Sequence, residues 1–139
     1  MQKELDITNL KNSVSALEKC VETYNEFADG AENLKESLRS GVIHNFETAY
    51  ELCWKFMKKW MQMNISSDIF DGITRREFYK LAAEKGLISS LDEWMDFHES
   101  RNQTSHIYSK TTAEEVFETA LTFLPMAQKF VSDMENRLC

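Results

Sequence analysis

The fold is decided by residues 42–61, which read VIHNFETAYELCWKFMKKWM. Apolar side chains recur there every three or four positions, the spacing that places them on one side of an α-helix. This side is broad enough to contact more than one neighbouring helix. It consists of Val42, Phe46, Ala49, Tyr50, Cys53, Trp54, Met57, Trp60 and Met61. The whole chain has only four glycines and one proline, so we expect long helices rather than a sheet.

Helical spacing continues on both sides of this segment. A short third helix is predicted to begin after Thr74, which forms a capping box with Glu77, and to stop at Gly86. A fourth helix follows Ser90. The first helix ends at Asp29-Gly30 and carries the stripe Leu10, Val14, Leu17, Val21 and Tyr24. One side of the fourth helix is predicted to hold Leu91, Trp94, Met95, His98, Arg101 and Asn102.

The last predicted helix is capped by Thr112 with Glu115. Its apolar stripe is Val116, Ala120, Leu124, Ala127, Val131, Met134 and Leu138. Pro125 lies inside this stripe and should kink the helix or leave one carbonyl free. Five helices without a strand pattern predict an all-α fold. The simplest arrangement is an antiparallel four-helix bundle with one additional short helix, in a single domain over residues 1–139.

Composition limits the classes of function. The formal net charge of −7 argues against a broad nucleic-acid surface, which is normally basic, but it leaves room for a local basic site. Three cysteines in an odd count without metal-ligand spacing are typical of free thiols, so we expect a cytoplasmic protein. The chain has no apolar run of signal-peptide or membrane-spanning length.

Residues 101–108 read RNQTSHIY and lie where the fourth helix should end. Arg101 offers a planar positive group for a phosphate, and His106 exchanges a proton near neutral pH. Asn102 and Tyr108 are further polar groups able to orient or receive a phosphate. Five residues along a continuous helix would put Arg101 and His106 about 140° apart. To share a ligand, the helix must end between them or two subunits must contribute.

Other polar residues have plainer interpretations. His98 lies on the apolar side of the fourth helix and is expected to be a hydrogen-bonded core or interface residue. The run of Lys55, Lys58 and Lys59 is interpreted as a solvated face, with backbone contacts to RNA as the alternative. The chain has no Glu-x-x-His pair, so a carboxylate di-metal bundle has little support. We expect neither a metal nor another cofactor.

Three blocks together resemble one protein family. Residues 41–55, 74–88 and 101–115 are similar, in this order, to the nucleotidyltransferase substrate-binding proteins of the HEPN superfamily (higher eukaryotes and prokaryotes nucleotide-binding). Arg-x4-His alone is a weak pattern, but its position after the other two blocks makes it specific. The resemblance implies a helical bundle that forms a homodimer, with two Arg-x4-His motifs at one cleft that holds RNA or a nucleotide. It also implies a separately encoded minimal nucleotidyltransferase as partner.

Many HEPN proteins are metal-independent endoribonucleases, often toxins. By resemblance, the catalytic pair is Arg101 and His106, and Asn102 joins Arg101 in binding a phosphate or nucleotide. Tyr108 corresponds to the tyrosine that some partner nucleotidyltransferases adenylylate. Two alternatives stay open: a non-catalytic module that binds a nucleotide or substrate for the partner enzyme, and a purely structural helical dimer.

Overall fold

The computed structural model describes residues 5–106 and 109–138. Within these ranges the chain is helical and contains no strand, which confirms the predicted fold class. Five α-helices and one 3-10 turn follow each other as α1 Thr8–Glu26, α2 Glu32–Asn64, α3 Arg75–Glu84, α4 Leu91–Gln103, the turn Thr104–His106, and α5 Lys110–Leu138. None of the described helices is both long and apolar enough to cross a membrane.

Contacts between helices give their directions. Lys11 near the start of α1 pairs with Glu135 near the end of α5 at 3.2 Å. Glu18, about two turns later in α1, accepts a hydrogen bond from Gln128, which lies earlier in α5. Rising numbers in one helix therefore meet falling numbers in the other. The same holds for α4 and α5, since the rings of Trp94 and Phe130 lie 6.2 Å apart and those of Phe97 and Phe123 5.2 Å apart. The helices of both pairs are antiparallel, as predicted, whereas α2 and α5 run in the same direction, since Glu32 pairs with Lys110 and Phe46 contacts Phe123.

Aromatic rings fill the centre of the bundle. Phe123 of α5 has no exposed surface, and its ring contacts Phe46 and Tyr50 of α2 and Trp94 and Phe97 of α4. Most of these contacts are edge-to-face, the geometry that aromatic pairs prefer. This cluster holds α2, α4 and α5 together beneath the surface on which the candidate site lies.

The predicted starts of α3 and α4 are confirmed. The Thr74 hydroxyl accepts a hydrogen bond from the Glu77 backbone N–H at 3.1 Å, and Ser90 does the same for Glu93 at 3.2 Å. The α3 helix stops as expected at Gly86, which adopts φ +76°. The N–H of the residue after it donates to the Ala82 carbonyl at 2.9 Å, and this pattern defines a Schellman motif.

The predicted cap of α5 was wrong by three residues. The helix begins at Lys110, and Ser109 provides the cap, since its hydroxyl accepts a hydrogen bond from the Thr112 backbone N–H at 3.1 Å. Both Ser109 and Thr112 carry a hydroxyl that can cap a helix. Pro125 does not interrupt the helix. Because its side chain is exposed, the carbonyl that it leaves without an N–H donor is on the solvent side.

The predicted buried sides of α4 and α5 were partly wrong. In α4 the buried residues are Trp94, Phe97 and Ser100, while Asn102 is exposed. In α5 the prediction missed three buried phenylalanines, and the buried set is Val116, Phe117, Ala120, Phe123, Ala127, Phe130 and Met134. Each of these helices carries apolar residues in two overlapping helical registers, and packing against the neighbouring helices selects the one with the larger rings.

Candidate functional site

Arg101 lies in the last turn of α4 and reaches across to α2. Its Nε is 3.1 Å from Glu51 Oε1, and its Nη2 is 3.4 Å from Glu47 Oε1. Nη1 donates a hydrogen bond to the Thr104 hydroxyl, which in turn donates to the Arg101 carbonyl oxygen. The two glutamates are one helical turn apart, so they present both carboxylates on the same side of α2. The guanidinium is therefore held in one position by two helices.

This ion pair stays within reach of solvent. The Arg101 side chain is 22% exposed, and those of Glu47 and Glu51 are 37% and 32% exposed. The buried Nε atom forms no well-aligned hydrogen bond, so its contact with Glu51 is a charge contact rather than a directed bond. Two carboxylates around one guanidinium leave a local charge of about −1. A phosphate that binds here must therefore compete with the glutamates for Arg101.

His106 occupies the 3-10 turn that follows α4. The α-helix ends at Gln103, and Thr104–His106 form the turn. The sequence required the helix to end between Arg101 and His106 if both were to meet one ligand within a single chain, and it does end there. The His106 side chain is exposed. It lies at the same end of the bundle as Arg101.

Asn102 and His98 are adjacent on α4, one turn apart. The Asn102 side-chain nitrogen lies 3.3 Å from His98 Nε2, and His98 Nδ1 lies 3.1 Å from the Tyr50 hydroxyl. His98 is thus the hydrogen-bonded residue that the sequence predicted. Asn102, proposed as a phosphate ligand, is exposed but holds His98 rather than Arg101 in this structure.

A buried polar network continues from His98. The Tyr50 hydroxyl accepts a hydrogen bond from Arg75 at 3.0 Å and lies 2.5 Å from the Tyr79 hydroxyl. One consistent set of donors runs from Asn102 to His98, from His98 to Tyr50 and from Tyr50 to Tyr79. It gives His98 the tautomer with its proton on Nδ1. The network ties the exposed Asn102 to the core of the bundle.

The network also sets protonation states. Burial, and then the positive charge of Arg75, lower the pKa of His98 from its ordinary value of 6.5. The ring is therefore neutral at pH 7, as the tautomer requires. Burial raises the pKa of Tyr50 and of Tyr79, so both hydroxyls stay protonated. His98 acts as a neutral link between helices rather than as a charged group.

Several of these residues were missed by sequence reasoning. Glu47, Glu51 and Arg75 were not assigned to the site from the sequence. The available signal was the spacing of Glu47 and Glu51, which places two carboxylates on one side of a mostly apolar helix. Among the described residues, no group of three His, Cys, Asp or Glu side chains is placed to hold a metal ion. Tyr108 lies outside the described residues.

The geometry can be compared with known proteins. The family described as "Nucleotidyltransferase substrate binding protein like" matches residues 5–136. The chain belongs to this family. Members of this nucleotidyltransferase substrate-binding family are the proteins that the three sequence blocks resemble, so the resemblance is confirmed over nearly the full chain.

Two relatives of the family come from Haemophilus influenzae. One is named "Probable ribonuclease HepT" and is 29% identical over 105 residues, which cover 75% of this chain and 72% of that protein. The other is a solved structure with a TM-score of 0.86 and 26% identity, covering 94% of this chain and 99% of that one. It is described as revealing the fold of a substrate binding domain of a nucleotidyltransferase. The helical architecture is shared with that structure almost completely.

Proposed function

We propose that the chain is a HEPN-type partner subunit of a minimal nucleotidyltransferase and that it cleaves RNA without a metal, as a toxin-like endoribonuclease. The observation that carries the proposal is the placement of Arg101, fixed at the end of α4 beside the turn that exposes His106. The relative named as a probable ribonuclease supports the same activity. The free thiols fit the reducing cytoplasm, with Cys53 buried and Cys20 partly buried.

Metal-free RNA cleavage requires three catalytic groups at one phosphate: a general base, a general acid and a positive charge. A base takes the proton of the 2′-hydroxyl, whose oxygen attacks phosphorus. An acid gives a proton to the 5′-oxygen as the P–O5′ bond breaks, leaving a cyclic phosphate and a free 5′-hydroxyl. Positive charge stabilises the phosphorane between these steps. His106 is the proton-transfer group, and Arg101 supplies the charge once it turns from the glutamates to the phosphate.

One histidine cannot be base and acid in the same step, and this favours a homodimer with two motifs at one cleft. The broad apolar side of α2 does not by itself require a second subunit, because α2 already packs against other helices and Trp54 contacts Phe78 of α3. Sedimentation velocity at micromolar concentration tests the point. We expect a dimer; a monomer that still cleaves RNA would refute the two-histidine mechanism.

Cleavage itself is tested with single substitutions. His106→Ala and Arg101→Ala should each lower the cleavage rate, for Arg101 by about 10²–10³-fold, the usual loss when one group that stabilises a transition-state charge is removed. EDTA should have no effect. Gln103→Ala is the matched control, since this exposed residue ends α4 between the two. Cleavage that survives both substitutions, or that requires Mg²⁺, contradicts the proposed roles.

Tyr108 is proposed as the residue that the nucleotidyltransferase modifies. An adenylyl group two residues after His106 would place a bulky anion at the site, where it would block an RNA phosphate and pair with Arg101. Intact-mass spectrometry after incubation with ATP, Mg²⁺ and the neighbouring nucleotidyltransferase should show added adenylyl units on the wild type and none on Tyr108→Phe. An unchanged gain on the variant would assign the modification elsewhere.

A non-catalytic binding subunit is the second candidate. The observation that favours it is the pair of carboxylates that neutralise Arg101, since a guanidinium held in this way positions a ligand more readily than it stabilises new charge. In that case Arg101 and Asn102 bind a nucleotide for the partner enzyme. The two candidates differ in one measurement: the binding subunit holds the nucleotide but leaves RNA intact at any enzyme concentration.

A further inference from the structure

One side of α2 continues past Arg101 toward the C-terminal end of the helix. Glu47, Glu51, Trp54 and Lys58 are spaced by four, three and four residues, so they share one side of the helix. The two glutamates hold Arg101. Beyond them the character of the surface changes from acidic to aromatic and basic.

A pocket of about 190 Å³ lies at this second part of the surface. Trp54 and Lys58 of α2 line it together with Arg75 at the start of α3 and the ring of Phe70. The Arg75 guanidinium carbon is 4.0 Å from the centre of the Trp54 ring, and Lys58 Nζ is 5.8 Å from it. An aromatic ring thus holds two cations beside one open space.

Neither cation is neutralised by an ion pair. Among the described residues no carboxylate lies within 4.0 Å of Lys58 Nζ or of the Arg75 guanidinium. Two carboxylates contact residues of the pocket lining without pairing with either cation: Glu51 accepts from the Trp54 ring nitrogen, and Glu77 accepts from the Thr74 hydroxyl. In a chain with 23 acidic and 16 basic residues, two unpaired cations at one pocket form a local anion site.

The start of α3 adds to this positive potential. Arg75 is the first residue of a ten-residue helix, and the first turn of a helix carries unpaired N–H groups and the positive end of its dipole. Thr74 and Arg75 both line the pocket, so the helix end belongs to the same site as the two cations. The combination of cations, a helix end and an aromatic ring suits a phosphate beside a nucleobase.

We propose that the pocket formed by Trp54, Lys58 and Arg75 binds a backbone phosphate of the RNA strand whose cleavage takes place at Arg101 and His106. This inference rests on the proposed function. Glu51 connects the two places, since one oxygen contacts Arg101 and the other contacts Trp54. From Glu51 to Lys58 the helix advances about 10 Å, which is at most about three nucleotides at the ~3.4 Å axial spacing of a stacked strand. The pocket is a subsite that holds the strand beside the scissile bond.

The test is the binding of a short single-stranded 2′-O-methyl RNA, which lacks the attacking hydroxyl, followed by fluorescence anisotropy against salt concentration. Lys58→Ala should weaken binding about fivefold near ~0.1 M salt and lower the slope of log affinity against log salt by about 0.7, the value for one phosphate contact on a single strand. Lys55→Ala is the matched control, because it removes the same charge from an exposed position of the same helix. Arg75→Lys tests whether the planar guanidinium is needed, with circular dichroism to verify folding.

The outcomes separate this inference from the proposed activity. RNA that binds with the Lys58 dependence but is never cleaved would refute the ribonuclease and leave the subsite standing. Cleavage with equal affinities for Lys58→Ala and Lys55→Ala would refute the subsite alone. If the RNA does not bind to the wild type, or if Lys58→Ala weakens only the complex with the nucleotidyltransferase, the subsite is refuted and the surface is a protein interface.

Discussion

Removing one of the two carboxylates that hold Arg101 should tighten RNA binding. Glu51 lies 3.1 Å from the Arg101 Nε, so it competes with an incoming phosphate for the same charge. Glu51→Gln removes the negative charge and keeps an oxygen able to accept the hydrogen bond from the Trp54 ring nitrogen. Glu47 still pairs with Arg101 in this variant and keeps the guanidinium in place.

The magnitude follows from the exposure of the pair. At 3.1 Å two unit charges interact by about 1.3 kcal/mol with the dielectric constant of water and by about four times that with the effective dielectric constant of ~20 near a protein surface. Both side chains keep a fifth to a third of their surface in solvent, and pairs with substantial solvent contact contribute about 0.2–1 kcal/mol. An upper value of about 1 kcal/mol corresponds to a fivefold change in affinity. We therefore expect binding about two- to fivefold tighter.

The assay uses His106→Ala as the background, so that RNA is bound and not cleaved, and measures anisotropy of a labelled strand. Glu99→Gln is the control, because this exposed glutamate of α4 carries the same charge but does not contact Arg101. Equal tightening by both substitutions would mean that only net charge matters. Unchanged or weaker binding in Glu51→Gln would refute the idea that the glutamates compete with the phosphate.

Three further predictions concern the buried network and the core. Tyr50→Phe should lower the free energy of unfolding by about 1–3 kcal/mol, because it leaves the fully buried Tyr79 hydroxyl without its partner. In denaturant titration, the double variant Tyr50→Phe/Tyr79→Phe should lose less unfolding free energy than the two single variants together. Strict additivity of the two losses would refute the hydrogen bond. Since the pKa of His98 is lowered by folding, stability should be full above about pH 6.5 and fall as pH decreases from there, because the unfolded chain takes up the proton first. His98→Gln should flatten this slope in thermal unfolding while His44→Gln does not, and equal slopes for the two variants would contradict it. Phe123→Ala should cost about 3–5 kcal/mol, measured by denaturant titration, and a cost below about 1 kcal/mol would mean that the aromatic cluster does not hold the helices together.

Most of the fold could be predicted because its signals are local. The caps at Thr74 and Ser90 and the stop at Gly86 depend on residues a few positions apart, and each was confirmed. The buried register of α5 was less predictable. Helix α5 carries two apolar stripes, one that includes Leu124 and one that includes Phe123. Only the position of the rings on α2 and α4 decides which of them is buried. Such a choice is a property of packing rather than of one segment.

The candidate site shows the same contrast between features that are local in the sequence and features that depend on packing. The end of α4 between Arg101 and His106 was inferred from the chemistry of the motif, and the helix does end there. The glutamates that hold Arg101 could not be assigned, because they lie about fifty residues earlier and meet it only through the antiparallel register of α2 and α4. The hydrogen-bond partner of Asn102 could not be predicted for the same reason. Its bond to His98 depends on where packing places the Tyr50 hydroxyl in the core.

The register between α2 and α4 therefore controls chemistry as well as stability. The side of α2 that carries Glu47 and Glu51 lies beside Tyr50, whose hydroxyl joins α4 through His98 and α3 through Arg75. A shift of one turn between the helices would separate Arg101 from both glutamates and would move the Trp54 pocket relative to it. A variant that repacks Phe123 should therefore lose the proposed RNA cleavage through misplacement of Arg101 even where the bundle remains folded.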